Sequence, residues 1–312
     1  MIKLDFSKFQ DETTISTNFH ILKKNLDDLL TGNQEDFYEV LHIPKANKSL
    51  GYRKVYKPNW KIDGLHKYIL EQINFKSKPL IHDCAHGFIK GKSILTNAQQ
   101  HLNKKYLLQV DIKSFFSSIS QDEVKRVFIK LGCNDYVAEL FSILCTINNS
   151  LAEGLNTSPT IANIYFFELD EILNEISRRY SCTYTRYADD LTFSSNNYFD
   201  YTELLKEIED ALEKKNLTLN NKKTRFSKYG QAQYVTGLSI SNEVRPRIPK
   251  KIKKRLRQEF YFIKKYGFNA HFSRCNQNIK NGHNRLNGWL LYALNVEPDY
   301  FRKLYAEYKG LK

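Results

Sequence analysis

Thr183-Tyr184-Thr185-Arg186-Tyr187-Ala188-Asp189-Asp190-Leu191-Thr192-Phe193-Ser194-Ser195 is the stretch on which the reading of the chain turns. β-Branched and aromatic residues alternate on both sides of a short polar tip, which predicts a hairpin with strands over 182–187 and 190–195. Two adjacent carboxylates at that tip repel one another and make sense if a divalent cation sits there. Asp-Asp is also an ordinary turn dipeptide. The stretch alone leaves both readings open.

Outward from the hairpin, the pattern is simple. Tyr106 to Ile112 reads as an apolar strand with Asp111 at its end. Ser120-Gln121-Asp122-Glu123 predicts a capping box, opening a helix through Val124, Val127 and Leu131. A second helix is expected over Tyr136–Ile147. A third starts at Thr157-Ser158-Pro159, with a hydroxyl cap and proline at the first position, and runs to about Arg179. Downstream come a helix over 201–215 and short strands near 217–219 and 233–240. Residues 106–240 therefore give β-α-ββ-α-β, the split ferredoxin-like arrangement. In that topology the end of the first strand lies beside the turn of the central hairpin, so Asp111 is expected next to Asp189 and Asp190.

The flanks are more basic. One amphipathic helical stretch is expected around Phe19 to Leu30, then short strands from Tyr38 to Trp60 carrying Lys45, Lys48, Arg53, Lys54 and Lys57. A helix over 62–76 follows, then a loop with Pro79 and a basic segment from His86 to His101. After Pro246, ten basic residues stand against one acid, Glu259, between Arg245 and Lys265. Ile252, Leu256, Phe260 and Ile263 form one helical stripe there, leaving the charges on the other faces. Two further helices are expected over 283–295 and 298–309.

The 312 residues carry a net charge of +14, with 41% hydrophobic and 26% charged residues. That composition is ordinary for a globular protein except for its charge, which points to a polyanionic partner such as nucleic acid. Five scattered cysteines without a CxxC pair argue against zinc and disulfides and fit a reducing cytoplasm. No leader-like or membrane-spanning apolar run is expected. A glycosidase also uses paired carboxylates but has no need of such a charge. Three converging carboxylates in a basic protein suit two Mg²⁺ ions and in-line phosphoryl transfer on nucleic acid.

These residues resemble reverse transcriptases, and within them the bacterial retron type. Tyr187-Ala188-Asp189-Asp190 looks like the YxDD motif, and Val110-Asp111-Ile112-Lys113-Ser114-Phe115-Phe116 like the motif carrying the first aspartate. Glu153-Gly154-Leu155-Asn156-Thr157-Ser158-Pro159 with Ile161-Ala162-Asn163 is similar to the template- and nucleotide-positioning motif, although Glu153 stands where Gln is usual. Leu217 to Thr224 is similar to the segment carrying a lysine near the triphosphate. Asn97-Ala98-Gln99-Gln100-His101 matches the retron NAxxH signature, and Val235-Thr236-Gly237 the VTG signature.

The resemblance implies an α+β right-hand polymerase. Fingers would cover 1–105, a ferredoxin-like palm 106–242 and a helical basic thumb 243–312. Asp111 and Asp189 would be metal ligands, Asp190 a weaker ligand or their partner, and Ile112 part of the metal set. Arg53 would grip the triphosphate, although alone it reads equally as an exposed hairpin arginine. Phe116 would exclude a 2′-hydroxyl, Gly154 would allow close approach to a base pair, and Lys223, with Lys222 as competitor, would serve the pyrophosphate. Asn97 and His101 would hold the RNA, with a helix-ending role for His101 equally open. Tyr187, Val235, Thr236 and Gly237 would also contact nucleic acid, and Lys250, Lys253, Lys254 and Arg257 would lie along its backbone.

The implied reaction copies a cognate structured noncoding RNA into single-stranded DNA from dNTPs, primed at an internal RNA 2′-hydroxyl. Anti-phage defence with an effector or toxin protein is implied as well. No nuclease domain is expected after the last helix, so RNA removal would fall to host RNase H. The alternatives are another defence reverse transcriptase with different priming, or a catalytically idle RNA-binding scaffold.

Overall fold

A computed structural model of the chain describes residues 11–19, 23–31, 34–45, 51–77, 80–275 and 278–310. Lys48 and Pro79 lie outside the described residues. The helix expected around Phe19 to Leu30 is met by α2 (Lys23–Leu30), and a further helix, α1 (Glu12–Phe19), comes before it. β1 (Tyr38–Pro44) and β2 (Tyr52–Pro58) pair antiparallel, with Val40 opposite Tyr56 and Ile43 opposite Arg53. α3 (Trp60–Ser77) follows. The basic segment holds a helix that the sequence reading did not name, α4 (Ile94–Gln99), where Ser93 and Thr96 close a reciprocal capping box.

β3 (Tyr106–Asp111) leads into four helices, α5 (Gln121–Lys130), α6 (Asp135–Leu144), α7 (Ser158–Tyr165) and α8 (Phe167–Arg179). β4 (Thr183–Tyr187), β5 (Asp190–Ser195), α9 (Tyr201–Glu213) and β6 (Arg225–Lys228) complete the pattern. The sheet order is β4-β5-β3-β6. The first strand thus lies between the third and the fourth, which is the split ferredoxin-like order. β7 (Tyr234–Val235) and β8 (Leu238–Ser239) form a separate small hairpin. Four helices end the described chain, α10 (Lys250–Tyr266), α11 (Phe268–Arg274), α12 (Ile279–Val296) and α13 (Pro298–Gly310).

Several local expectations need correction. The single helix expected over 157–179 breaks at Phe166, which is fully buried and stacks on Phe115 at 5.0 Å. Thr157 makes no side-chain cap bond, so Pro159 alone marks the start. Ser120 accepts the Glu123 N–H at 3.3 Å, but the Glu123 carboxylate accepts from Arg126 instead of turning back, so only half of the capping box forms. The strand expected over 217–219 is reduced to a bridge between Leu219 and Ile112, and the fourth strand lies further on. α11 was not expected; it opens directly after Gly267, at φ +79.

The chain divides into two compact units. One takes in residues up to Gly91, Leu108–Phe193 and Phe199–Arg225. Phe128, Phe141, Phe193, Leu204 and Ile208 are fully buried within it. The other takes in Lys92–Leu107, Ser194–Tyr198 and Phe226–Lys312. Its core joins Ala98, Val235 and Leu238 to Leu256, Phe260, Ile263, Leu286, Leu290 and Phe301. Burial of each large apolar side chain on α10 is worth about 1.5–3 kcal/mol. That stripe orients the helix and leaves Lys250, Lys254 and Arg257 exposed. Among the described residues no helix is long and apolar enough to cross a membrane.

Candidate active site

Backbone hydrogen bonds of the sheet bring the acidic residues together. The Ile112 N–H donates to the Asp189 carbonyl at 2.9 Å, so the residue after Asp111 is tied to the hairpin tip. On the other side of β3, the Lys113 N–H donates to the Thr218 carbonyl at 2.9 Å and the Asn220 N–H to the Asp111 carbonyl at 2.7 Å. Asp111, Asp189 and Asp190 then each offer a carboxylate oxygen, and the three lie within 4.8 Å of one another. The turn itself is strained: Ala188 has φ +55, with Ser114 (φ +54) and Phe88 (φ +61) also left-handed. Such residues hold only where their surroundings over-determine them, at about 1–3 kcal/mol each.

Electrostatics make the cluster demand a cation. Loss of water, then the charges of Asp189 and Asp111, push the Asp190 carboxyl up to about 6. Asp189 is likewise raised, by burial first and by the Asp111 charge second. The buried Asp111 carboxylate accepts from Asn220 Nδ2 at 3.1 Å and from Lys223 Nζ at 2.7 Å. Burial works against the Lys223 charge, but the bond to Asp111 and the three carboxylates outweigh it and raise its pKa. Among the described residues the acidic trio is met by one paired lysine, Lys223, and three oxygen donors so placed fit a hard divalent cation such as Mg²⁺. A cleft of about 170 Å³ opens beside them, lined by Gln109, Val110, Asp111, Asp190, Lys223 and Arg225.

The sequence reading denied the histidines any HxxxH spacing and was wrong there: His82 and His86 stand four apart, a spacing that metal sites use. His82 Nδ1 accepts from the Cys84 N–H at 3.1 Å, and among the described residues only the aspartates form a cluster able to hold a metal.

The other candidate residues divide into placed and buried ones. Ile112 is 1% exposed and meets the site through its backbone. Phe116 is half-buried, edge-on to Phe115 at 5.1 Å and 6.3 Å from Phe88. Arg53 on β2 lies 4.0 Å from Glu153, so the unusual carboxylate faces the arginine expected to grip triphosphate. Gly154, at φ +105, sits against β2: a Cβ there would come within 2.2 Å of the Tyr56 carbonyl. Its close approach is to protein backbone. Tyr187 is half-buried at the start of the tip.

Asn97 and His101 are both fully buried, and His101 Nδ1 lies 2.6 Å from Ser194 Oγ. Val235 is fully buried as well. Thr236 and Gly237 take φ +47 and +80 and form the two-residue turn between β7 and β8. The Thr236 hydroxyl donates to the Ile94 carbonyl of α4 at 2.9 Å. The two signatures thus meet within one unit. On α10, Lys253 differs from its neighbours: its Nζ donates at 2.6 Å to Glu297, which is 2% exposed.

Sequence reasoning missed Asn220, whose amide holds Asp111, and Gly87, whose missing Cβ leaves room for the Ala188 N–H. It also treated Arg186 as strand filler, although a charged residue at a core-facing strand position was itself a signal. Trp289 and Tyr292 are partly buried against the core of their unit.

Residues 43–266 match the family described as reverse transcriptase (RNA-dependent DNA polymerase). The chain is 29% identical over 269 residues to the Retron Ec86 reverse transcriptase of Escherichia coli, covering 86% of this chain and 79% of that one. It is 28% identical over 307 residues to the Retron Ec83 reverse transcriptase of Escherichia coli, covering 94% of each. The Retron Mx65 reverse transcriptase of Myxococcus xanthus is 31% identical over 246 residues, 71% of this chain and 57% of that protein. Apo telomerase from Candida tropicalis, truncated from its C-terminal domain, aligns over 70% of this chain and 58% of that one with a TM-score of 0.46 and 13% identity. The α+β fold, with its helix-flanked four-stranded sheet, is that of a polymerase palm. The chain belongs to the reverse transcriptase family, an RNA-directed DNA polymerase of the bacterial retron type.

Proposed function

We propose that the protein copies part of a cognate structured noncoding RNA into single-stranded DNA, primed from an internal 2′-hydroxyl of that RNA. The observation that carries this reading is the acidic trio within 4.8 Å at the tip of the sheet, in a chain with a net charge of +14. Asp111 and Asp189 would hold two Mg²⁺ ions, with Asp190 and Ile112 completing the set. The ions would supply an activated attacking hydroxyl and a neutralised leaving pyrophosphate. Lys223, already beside Asp111, would move toward the pyrophosphate and supply charge or a proton there. Arg53 would exchange Glu153 for the triphosphate as its partner, through its bidentate fork. Phe116 would lie under the sugar and favour dNTPs.

In this reading fingers cover about 1–105, the palm about 106–242 and the thumb about 243–312. Lys250, Lys254 and Arg257 lie exposed where they can meet phosphates, whereas Lys253 serves Glu297 first. Asn97, His101 and Val235 act on RNA by shaping α4 and the β7–β8 turn, because their side chains are buried. Gly154 serves the same end by seating its loop on β2. Work in the cytoplasm, anti-phage defence with an effector or toxin, and RNA removal by host RNase H complete the proposal.

The test uses purified protein with its RNA, Mg²⁺ and dNTPs. DNA extension is expected from the wild type and not from Asp189→Asn with Asp190→Asn. Extension that survives the double change would sink the assigned site.

A further inference from the structure

Arg186 lies three residues before Asp189 and is the largest fully buried side chain of the described residues. Its Nε donates to both oxygens of Asp170, at 2.9 and 3.1 Å, and its Nη2 donates to Oδ2 at 2.7 Å. Asp170, on α8, is also fully buried and takes a further bond from the Tyr184 hydroxyl at 2.9 Å. The Arg186 guanidinium lies over the Phe166 ring at 4.7 Å, at the break between α7 and α8. Its remaining nitrogen, Nη1, donates to Asn163 Oδ1 at 3.0 Å and points to the Ala188 carbonyl at 3.5 Å. The Asn163 amide in turn donates to the Gly87 carbonyl at 3.0 Å. Gly87 touches the turn directly: a Cβ on it would come within 2.7 Å of the Ala188 N–H nitrogen.

A buried, fully paired arginine is costly to desolvate, and a hydrophobic pair would stabilise the fold as well or better. Fold stability therefore does not explain it. Geometry does. The chain of contacts Asp170–Arg186–Asn163–Gly87 closes around one residue, Ala188, whose left-handed backbone decides where Asp189 points.

We propose that Asp170, Arg186 and Asn163 form a positioning device that fixes the left-handed turn at Ala188 and so sets the Asp189 carboxylate opposite Asp111. This rests on Asp189 being a metal ligand, as argued above. Displacing a carboxylate by a fraction of an ångström is enough to lower turnover, since misplacement of about 1 Å can cost about a hundredfold.

The experiment perturbs the turn from two sides. Asn163→Ala removes the link but leaves the Asp170–Arg186 pair; Gly87→Ala pushes on the turn and removes no hydrogen bond. Both are expected to lower kcat by about tenfold or more, with KM for dNTPs changed by less than about twofold. Mn²⁺ affinity, followed by EPR without nucleotide, should weaken in both. Phe128→Leu, a core change on α5, serves as a control that lowers the melting temperature without moving kcat or Mn²⁺ affinity. Wild-type kcat and Mn²⁺ affinity in both variants would overturn the proposal, as would equal losses in Phe128→Leu. Should Asn163→Ala not fold, Gly87→Ala decides alone. Activity retained by Asp189→Asn would instead overturn the reading of the metal site itself.

Discussion

The tip of the β4–β5 hairpin and the outer face of α10 are both rich in charge, and they use it in opposite ways. Around the tip the groups that frame it have assigned places: Arg186 is locked to Asp170, Asp111 to Asn220 and Lys223, and the turn to Ile112. On α10 the helix is fixed by its apolar stripe, and Lys250, Lys254 and Arg257 project without defined protein partners among the described contacts. Burial makes position decisive in the first region, whereas exposure makes number decisive in the second. One change at the tip should therefore act as a switch, and one change on α10 as a small step.

The largest expected effect tests the switch. Asp189→Asn should lower DNA extension by about a thousandfold or more, since the lost charge stabilisation is several kcal/mol; single-turnover extension on the RNA measures it. Next comes the buried pair. Arg186→Met should destabilise the fold by about 3–5 kcal/mol in denaturant melts by leaving buried Asp170 without its cationic partner, and Arg186→Met with Asp170→Leu should recover much of that loss without recovering activity. Recovery of both would erase the distinction drawn for the tip.

A pH series sharpens the same point. Loss of water and the neighbouring Asp189 and Asp111 charges push the Asp190 carboxyl up to about 6 in the folded chain, above its ordinary value. A raised carboxylate pKa means that stability is fully present below the unfolded value and is lost as pH rises through about 6. In metal-free melts, Asp190→Asn should thus gain on the wild type between pH 4 and pH 7, and added Mg²⁺ should cancel the gain. A constant difference across that range would break the electrostatic account.

The smallest steps belong to α10. Lys250→Ala, Lys254→Ala and Arg257→Ala should each weaken RNA binding modestly, each lowering the salt-dependence slope by about 0.7–0.9. Lys253→Ala should act differently, lowering the melting temperature more than the binding, because buried Glu297 loses its closest cation. Filter binding across a salt series, with melts alongside, separates the two classes.

How far these regions were legible follows from the range of their causes. The hairpin, Asp111 and the α10 stripe were readable because period-two and period-3.6 patterns are local, and the ferredoxin-like order supplied the one long-range step. Arg186 was opaque because its partners Asp170 and Asn163 lie 16 and 23 positions earlier, on helices that nothing local aims at the turn. Lys253 looked like every other lysine of its helix, and only Glu297, 44 positions on, sets it apart. The break at Phe166 escaped because a good helix-forming run carries no local stop signal there, whereas the ring's stacking on Phe115 is a contact across 51 positions. NAxxH and VTG were recognised as signatures, but their burial could not be read from the residues themselves.

The bond between Lys223 and Asp111 spans 112 positions, and Asn220 reaches the same carboxylate across 109. During synthesis the two aspartates of the hairpin emerge together and can fold locally, while Asp111 waits for a segment made much later. Closing so long a loop costs more entropy than pairing two strands that are neighbours in sequence, although the cost grows only slowly with length. The two side-chain contacts that hold the Asp111 carboxylate therefore form only once residues 217–223 have been made, after both of its acidic partners.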